Sequence, residues 1–308
     1  MARTKVIIDT DPGVDDAVAI LAALASPEID VIALTTVTGN VDIQKTTLNA
    51  RRLVELAGRP DVLVVEGCAE PLHDIPRHAS EVHGEDGLGD LTWDEPTVGV
   101  HPQFAVDYLA EQIEAGPVTI VAIGPLTNLA RLVQNYPGIE KKLENLVIMG
   151  GASLQGNVTA AAEFNIWADP EAAKIVFGAD WPITFMPLDL THQAFLTDED
   201  VAFFRSLNTE VGTRMADFLE PYAKFHIEWN GNSDVIMHDS TAIYEVIRPN
   251  AITKQGVGVE VECGGEYSRG ATHINRNREF ADSTIKVGVT IDNDVFREFI
   301  RERIATFR

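Results

Sequence analysis

The stretch Val6-Ile7-Ile8-Asp9-Thr10-Asp11-Pro12-Gly13-Val14-Asp15-Asp16-Ala17 decides the architecture. Its apolar start reads as a buried strand over residues 6–9, and residues 14–25 read as the helix that follows, with Pro12-Gly13 making the turn between them. The same handover recurs along the chain. A strand at 31–37 precedes a helix at 43–57, an apolar run follows at 62–65, and segments 101–114, 118–123, 126–134, 146–149, 170–177 and 183–187 continue the alternation. These are βαβ units, so the expected fold class is α/β, a mostly parallel open sheet with helices on both faces. A last strand at 285–291 and helix at 295–304 end it. Outside the alternation, residues 195–230 read as helical, with Thr197-Asp198-Glu199-Asp200 as a cap, and 240–247 as a helix stopped by Pro249, which places extra helices in the C-terminal third.

The 308 residues, 45% of them hydrophobic, are enough for a packed core and argue against disorder. No linker, low-complexity tract or fixed-period repeat divides them, so one domain over 1–308 is expected. The formal charge of -23 repels nucleic acid and anionic membranes, leaving small molecules as the expected partners. Two distant cysteines, Cys68 and Cys263, no signal-peptide pattern at the start and no run of about 20 apolar residues predict a cytoplasmic protein with no membrane segment.

The acids of the opening stretch stand where a buried strand ends. In an open α/β sheet that edge is where ligands bind. Asp15 and Asp16 point about 100° apart on the first helical turn, so one can hold a cation while the other faces a substrate. A lone Asp there is ordinarily a helix cap. Several together are different, because two carboxylates about 4 Å apart repel by roughly 4 kcal/mol at an effective dielectric of 20 and so need a proton or a cation. Oxygen donors without Cys or paired His select a hard ion, Ca²⁺ or Mg²⁺. A haloacid-dehalogenase-type phosphatase using Asp9-x-Asp11 is a rival reading, against which Gly13 and the early Asp15-Asp16 pair both count.

The segment Asp9-Thr10-Asp11-Pro12-Gly13-Val14-Asp15-Asp16-Ala17 closely resembles the N-terminal signature of the inosine-uridine-preferring nucleoside hydrolases. Thr36-Val37-Thr38-Gly39-Asn40, the run from Ala122 to Ala130, Met149-Gly150-Gly151, Ala162-Glu163-Phe164-Asn165-Ile166 and His238-Asp239 resemble further motifs of that family, in family order. The resemblance implies hydrolysis of the N-glycosidic bond of ribonucleosides. It implies Ca²⁺ held by Asp11, Asp16, Asp239 and the backbone carbonyl of Thr127, with Asp11 as general base. Asp15, Asn40, Glu163 and Asn165 would bind the ribose, with Met149, Asn157 and Phe164 beside it, a set of acceptors and amide donors suited to a sugar diol. It further implies a homodimer or homotetramer.

Departure of the base needs assistance, for which His238 is the expected acid and His83 a second residue able to touch the base. His83 opens the Gly-rich segment 83–90, a loop that can move over a site. Tyr222, His226 and Trp229 are candidates for a wall or lid over the base. A non-catalytic Ca²⁺-dependent nucleoside or sugar binder is the alternative of a different class.

Overall fold

The computed structural model describes residues 3–308 except Asn232, with the side chains of Trp229 and Asn230 also outside the description. Strands β1 (Thr4–Thr10), β2 (Ile29–Thr36), β3 (Leu63–Val65), β4 (Val100–His101), β5 (Thr119–Ala122), β6 (Asn145–Met149) and β7 (Ile183–Met186) run parallel in the order β7-β6-β5-β1-β2-β3-β4. Strand Ile285–Thr290 adds in parallel beside β7, and Thr253–Gly256 closes that edge antiparallel. From β1 the chain moves outward through β2, β3 and β4, then crosses back to β5 on the other side of β1. That reversal makes the carboxyl ends of β1 and β5 the topological switch point, where a crevice opens for ligand.

Alternation along the strands builds a core on each face. Ile7 packs into one cluster while Val6 and Ile8 pack into the other, and Ile120 and Val121 of β5 divide in the same way. Helix α1 (Val14–Leu24) is buried along its whole length. The reason is the C-terminal third: helices Glu210–Asn230, Ser240–Ile247 and Asn293–Ile304 all pack on α1, which in a simpler α/β fold would present one face to water. This layer brings the late chain over the acidic turn.

The expected α/β sheet, helices on both faces and extra C-terminal helices are all present. Residues 195–230 are mostly helical as expected, with Thr197 capping one segment, but not throughout. Phe195–Leu196 is a short strand paired with Val235–Ile236, and helix Asp198–Ser206 is separated from Glu210–Asn230 by Asn208 in the left-handed region at φ 53. The Asn side chain tolerates that conformation, and Thr209 caps the new helix by accepting from Gly212 N at 3.0 Å. The antiparallel pair Gly258–Val261 and Thr272–Asn275 was not foreseen; Val259, Val261, Thr272 and Ile274 do alternate as in a strand, but over only four residues each.

Candidate active site

The acidic turn leaves β1 at the switch point, and three further segments converge on it. Asp11 is fully buried there: its Oδ2 accepts from Asn40 N at 2.7 Å, while Oδ1 is buried without a protein donor. A Cβ on Gly39 would stand 2.0 Å from Oδ2, and one on Gly124 would stand 2.5 Å from Oδ1, so only glycines let the loops after β2 and β5 close on this carboxylate. Asp16 accepts from Thr10 Oγ1 at 2.5 Å, Gly13 N at 3.0 Å and Asn40 Nδ2 at 3.1 Å. Gly13 N with Asp16 forms half of a capping box, so Asp16 both caps α1 and faces the cluster.

Asp15, Asp16 and Asp239 each offer an oxygen within 4.8 Å of the others. Burial first, and then neighbouring carboxylates, push Asp11, Asp15 and Asp239 well above the ordinary carboxylate value; for Asp11 and Asp15 the main neighbour is Asp16 and for Asp239 it is Asp15. Asp16 is also raised by burial, opposed by its hydrogen bonds from Thr10 and Gly13. With carboxylate oxygens of Asp16 and Asp239 this close, the pair needs a proton or a cation between them. All the converging donors are oxygens and one is orphaned, which fits a hard divalent cation. The tightest group thus contains Asp15 in place of Asp11, a substitution that the diverging directions on α1 do not reveal. Thr127, buried, opens the helix Thr127–Asn135 and donates from Oγ1 to Asp169 Oδ2 at 2.8 Å, so its side chain is occupied and only its backbone faces the question of metal binding.

Above the carboxylates lies a cavity of about 470 Å³. Asp15, Asn40, Met149, Asn157, Glu163, Phe164, Asn165, His83, His238 and Asp239 all line it, whereas Asp11, Asp16 and Thr127 lie outside the lining. Glu163 is the N-cap of helix Phe164–Ala168. It accepts from Gly151 N at 2.8 Å, Asn165 N at 2.9 Å and Ile166 N at 3.2 Å, and burial raises its pKa against those bonds. Asn165 Nδ2 donates to Ile123 O at 2.9 Å and Met149 O at 3.3 Å, and Asn157 Oδ1 accepts from Phe164 N at 3.0 Å. These side chains are held rigidly by backbone groups of β5, β6 and their loops, as a preorganised polyol site requires.

The opposite wall is made of rings. His83 Nδ1 accepts from Val14 N at 3.1 Å, so although Asp15 Oδ1 is 4.0 Å away the ring is neutral at that nitrogen, and burial takes its pKa down to about 3. His83 stacks on Tyr222 at 5.5 Å, and Tyr222 meets His226 edge-on at 4.7 Å. His238 Nδ1 bonds Thr191 Oγ1 at 2.8 Å and its ring meets His192 edge-on at 5.7 Å. Burial, then His192, hold His238 well below the ordinary histidine value, so near pH 7 it offers one N–H from a neutral ring.

Tyr222 and His226 therefore reach the site as expected; Trp229 lies outside the described side chains. The segment 83–90 is packed down, with Leu88 fully buried. His78, Glu81, Trp167, His192 and Phe225 line the cavity and were missed. One signal was available: five of the chain's eight histidines, His78, His83, His192, His226 and His238, face this one cavity.

Comparison with known proteins gives a consistent result. Residues 6–298 match the model of a family described as inosine-uridine preferring nucleoside hydrolase. Uridine nucleosidase 1 of Arabidopsis thaliana is 39% identical over 312 residues, covering 97% of this chain and 93% of that protein. A solved plant nucleoside hydrolase superposes with a TM-score of 0.94 at 38% identity over 99% of both chains. A purine-preferring ribonucleoside hydrolase from Gardnerella vaginalis does so with a TM-score of 0.93 at 32% identity over 98% of both.

Proposed function

The chain belongs to the inosine-uridine preferring nucleoside hydrolase family and is an N-glycosyl hydrolase of ribonucleosides; we propose that it works with Ca²⁺ held by Asp11, Asp16, Asp239 and the Thr127 carbonyl. The observation that carries this reading is the buried carboxylate cluster, with Asp11 Oδ1 lacking a donor, beneath a cavity of about 470 Å³. When bound, such an ion lowers the pKa of water and offsets the crowded negative charge.

The residues divide the remaining work. Asp11, through its orphaned oxygen, takes a proton from the attacking water as general base. Asp15, Asn40, Glu163 and Asn165, all in the cavity lining, orient the ribose hydroxyls. Carboxylates around the sugar favour the positive charge that develops at the anomeric carbon, and direct attack by water inverts its configuration. His238, oriented by Thr191, donates its N–H to the departing base, and His83 with Tyr222 and His226 encloses that base. Phe164 and Met149 close the cavity by the sugar.

Among the described residues no helix is long and apolar enough to cross a membrane. A cytoplasmic homodimer or homotetramer is part of the proposal. The phosphatase alternative falls with the family membership.

The deciding experiment incubates the protein with inosine, uridine and cytidine, with and without a chelator, and measures reducing sugar. Ribose release that the chelator stops and Ca²⁺ restores supports the reading. Release that is indifferent to chelation overturns the cation assignment, and nucleoside-dependent thermal stabilisation without any ribose overturns turnover itself.

A further inference from the structure

We propose that Asn49 is a positioning residue: its side-chain amide clasps the acidic turn to the segment 83–90, and the clasp sets His83 against the cavity. Asn49 lies on α2 (Ile43–Leu56), is fully buried, and is not part of the cavity lining. Its Nδ2 donates to Pro12 O at 3.1 Å and to Asp86 O at 2.7 Å, while its Oδ1 accepts from Arg52 Nη1 at 3.0 Å. One amide thus spends both protons on two segments separated by more than seventy residues of chain. A carboxylate has no proton to give and a hydroxyl has one, so Asn meets the requirement where Asp, Ser or Thr does not.

The partner segment is shaped to receive it. Gly87 holds φ +86, and a Cβ there would stand 2.9 Å from Asn49 Nδ2 and 3.2 Å from Pro12 O, so the glycine lets the segment lie against the clasp. Within the segment, Gly89 N donates to His83 O at 2.8 Å and Gly87 N to Gly84 O at 3.1 Å, which ties its position to that of His83. His83 in turn accepts from Val14 N, the residue after the turn that Asn49 holds from its other side. Lys45 Nζ to Glu85 O also binds this stretch but is exposed and competes with water, and Arg52 Nη1, which donates to Asn49 Oδ1, stands 3.7 Å from Asp86 Oδ2 and reinforces the clasp from the same helix. The buried amide thus adds a second tie, beside the buried bond from Val14 N to His83 Nδ1, between the acidic turn and the segment that carries His83.

The geometry stands on hydrogen bonds alone; the activity assay rests on the nucleoside hydrolase reading. The test compares uridine hydrolysis by wild type, Asn49→Ala, His83→Ala and the double variant, with hydrogen exchange of the 84–90 amides measured in parallel. Each single change should lower kcat/KM by about ten-fold, and the double should lie within about two-fold of His83→Ala, because Asn49 acts through His83. The 84–90 amides should exchange at least about ten-fold faster in Asn49→Ala. A double variant that loses the product of the two effects, about a hundred-fold, overturns the proposal, as does unchanged exchange. If Asn49→Ala does not fold, Gly87→Ala disrupts the clasp from the opposite side and faces the same outcomes. A wild type that hydrolyses neither uridine nor inosine overturns the nucleoside reading, and the exchange measurement then still decides the clasp.

Discussion

Asn40 grips Asp11 twice, donating from its backbone N to Oδ2 at 2.7 Å and from its side-chain Nδ2 to the Asp11 carbonyl at 3.2 Å, and leaves Oδ1 of the same carboxylate without a donor. A buried carboxylate fixed on one side and unfulfilled on the other is aimed at something outside the protein. Asp11→Ala and Asp16→Ala should therefore each lower kcat for inosine and uridine by about a thousand-fold or more, in the range of a lost general base or cation ligand. Circular dichroism and the melting temperature should remain those of a folded protein. Turnover close to wild type in either variant would remove that residue from the mechanism.

The crowding of Asp11, Asp15, Asp16 and Asp239 makes a prediction about stability. Burial raises all four groups above 3.8 in the folded chain, and repulsion from neighbouring carboxylates adds to it for Asp11, Asp15 and Asp239. An acid raised on folding carries no penalty below its unfolded pKa, and the penalty grows as pH climbs towards its folded pKa. Chelated protein should lose melting temperature as pH rises above about 4, while Ca²⁺, which binds the ionised form, should widen the gap between loaded and chelated protein up to pH 7. Differential scanning fluorimetry at pH 5 and pH 7 reads this. Melting temperatures that do not differ between loaded and chelated protein at pH 7 would show that the cluster binds no cation.

Asp9 isolates the same physics in one group. It is fully buried beside Thr35 and Asn128, whose side chains donate to Oδ1 at 2.5 and 2.8 Å, while Oδ2 has no partner; burial raises its pKa to about 6. Relative to an unfolded value of 3.8, this costs the folded state about 3 kcal/mol once the pH exceeds 6. Asp9→Asn should flatten the fall in stability between pH 4 and pH 6, measured by urea unfolding in chelator. An unaltered slope would mean that Asp9 is ionised throughout.

The extent to which the sequence reveals this site follows from where its parts lie. Asp11, Asp15 and Asp16 sit in one short turn at the end of a strand, a local pattern with a local physical meaning, and the parallel sheet follows from the alternation around it. Glu163 and Asn165 are recognisable through the ordered motifs. His192 and Phe225 are not, because they reach the cavity only through late elements, the turn after β7 and the packing of Glu210–Asn230 over α1, and Glu81, two residues before His83, carries no motif of its own. Asp16 and Asp239 were both expected as ligands; that Asp15 and not Asp11 lies within 4.8 Å of them is hidden, because it depends on where Asp239 lands, which no periodicity in the opening turn encodes.

His238 and Thr191 form a testable pair. With Nδ1 bonded to the Thr191 hydroxyl and the pKa well below its ordinary value, His238 assists by an oriented N–H. His238→Ala should slow uridine and inosine by about a hundred-fold, with much less effect on a riboside of p-nitrophenol, whose leaving group needs no proton. Thr191→Val should repeat the pattern at smaller amplitude. Equal slowing of activated and natural substrates would exclude His238 from leaving-group assistance.

The final prediction concerns charge on the substrate. Asp15, Glu81, Glu163 and Asp239 line the cavity, and among the described residues that line it there is no Lys or Arg. A divalent cation held by the carboxylates below would offset part of this charge near the ribose, but would provide nothing for a phosphate at the far end of the sugar. Uridine 5′-monophosphate should therefore have a kcat/KM at least about a hundred-fold below that of uridine, since a like charge brought into such a site costs several kcal/mol. The deficit should shrink at high salt, and Glu81→Gln, which removes an exposed lining carboxylate, should relieve it by a few-fold. Comparable turnover of nucleoside and nucleotide would mean that the overall charge of -23 has no counterpart at the substrate.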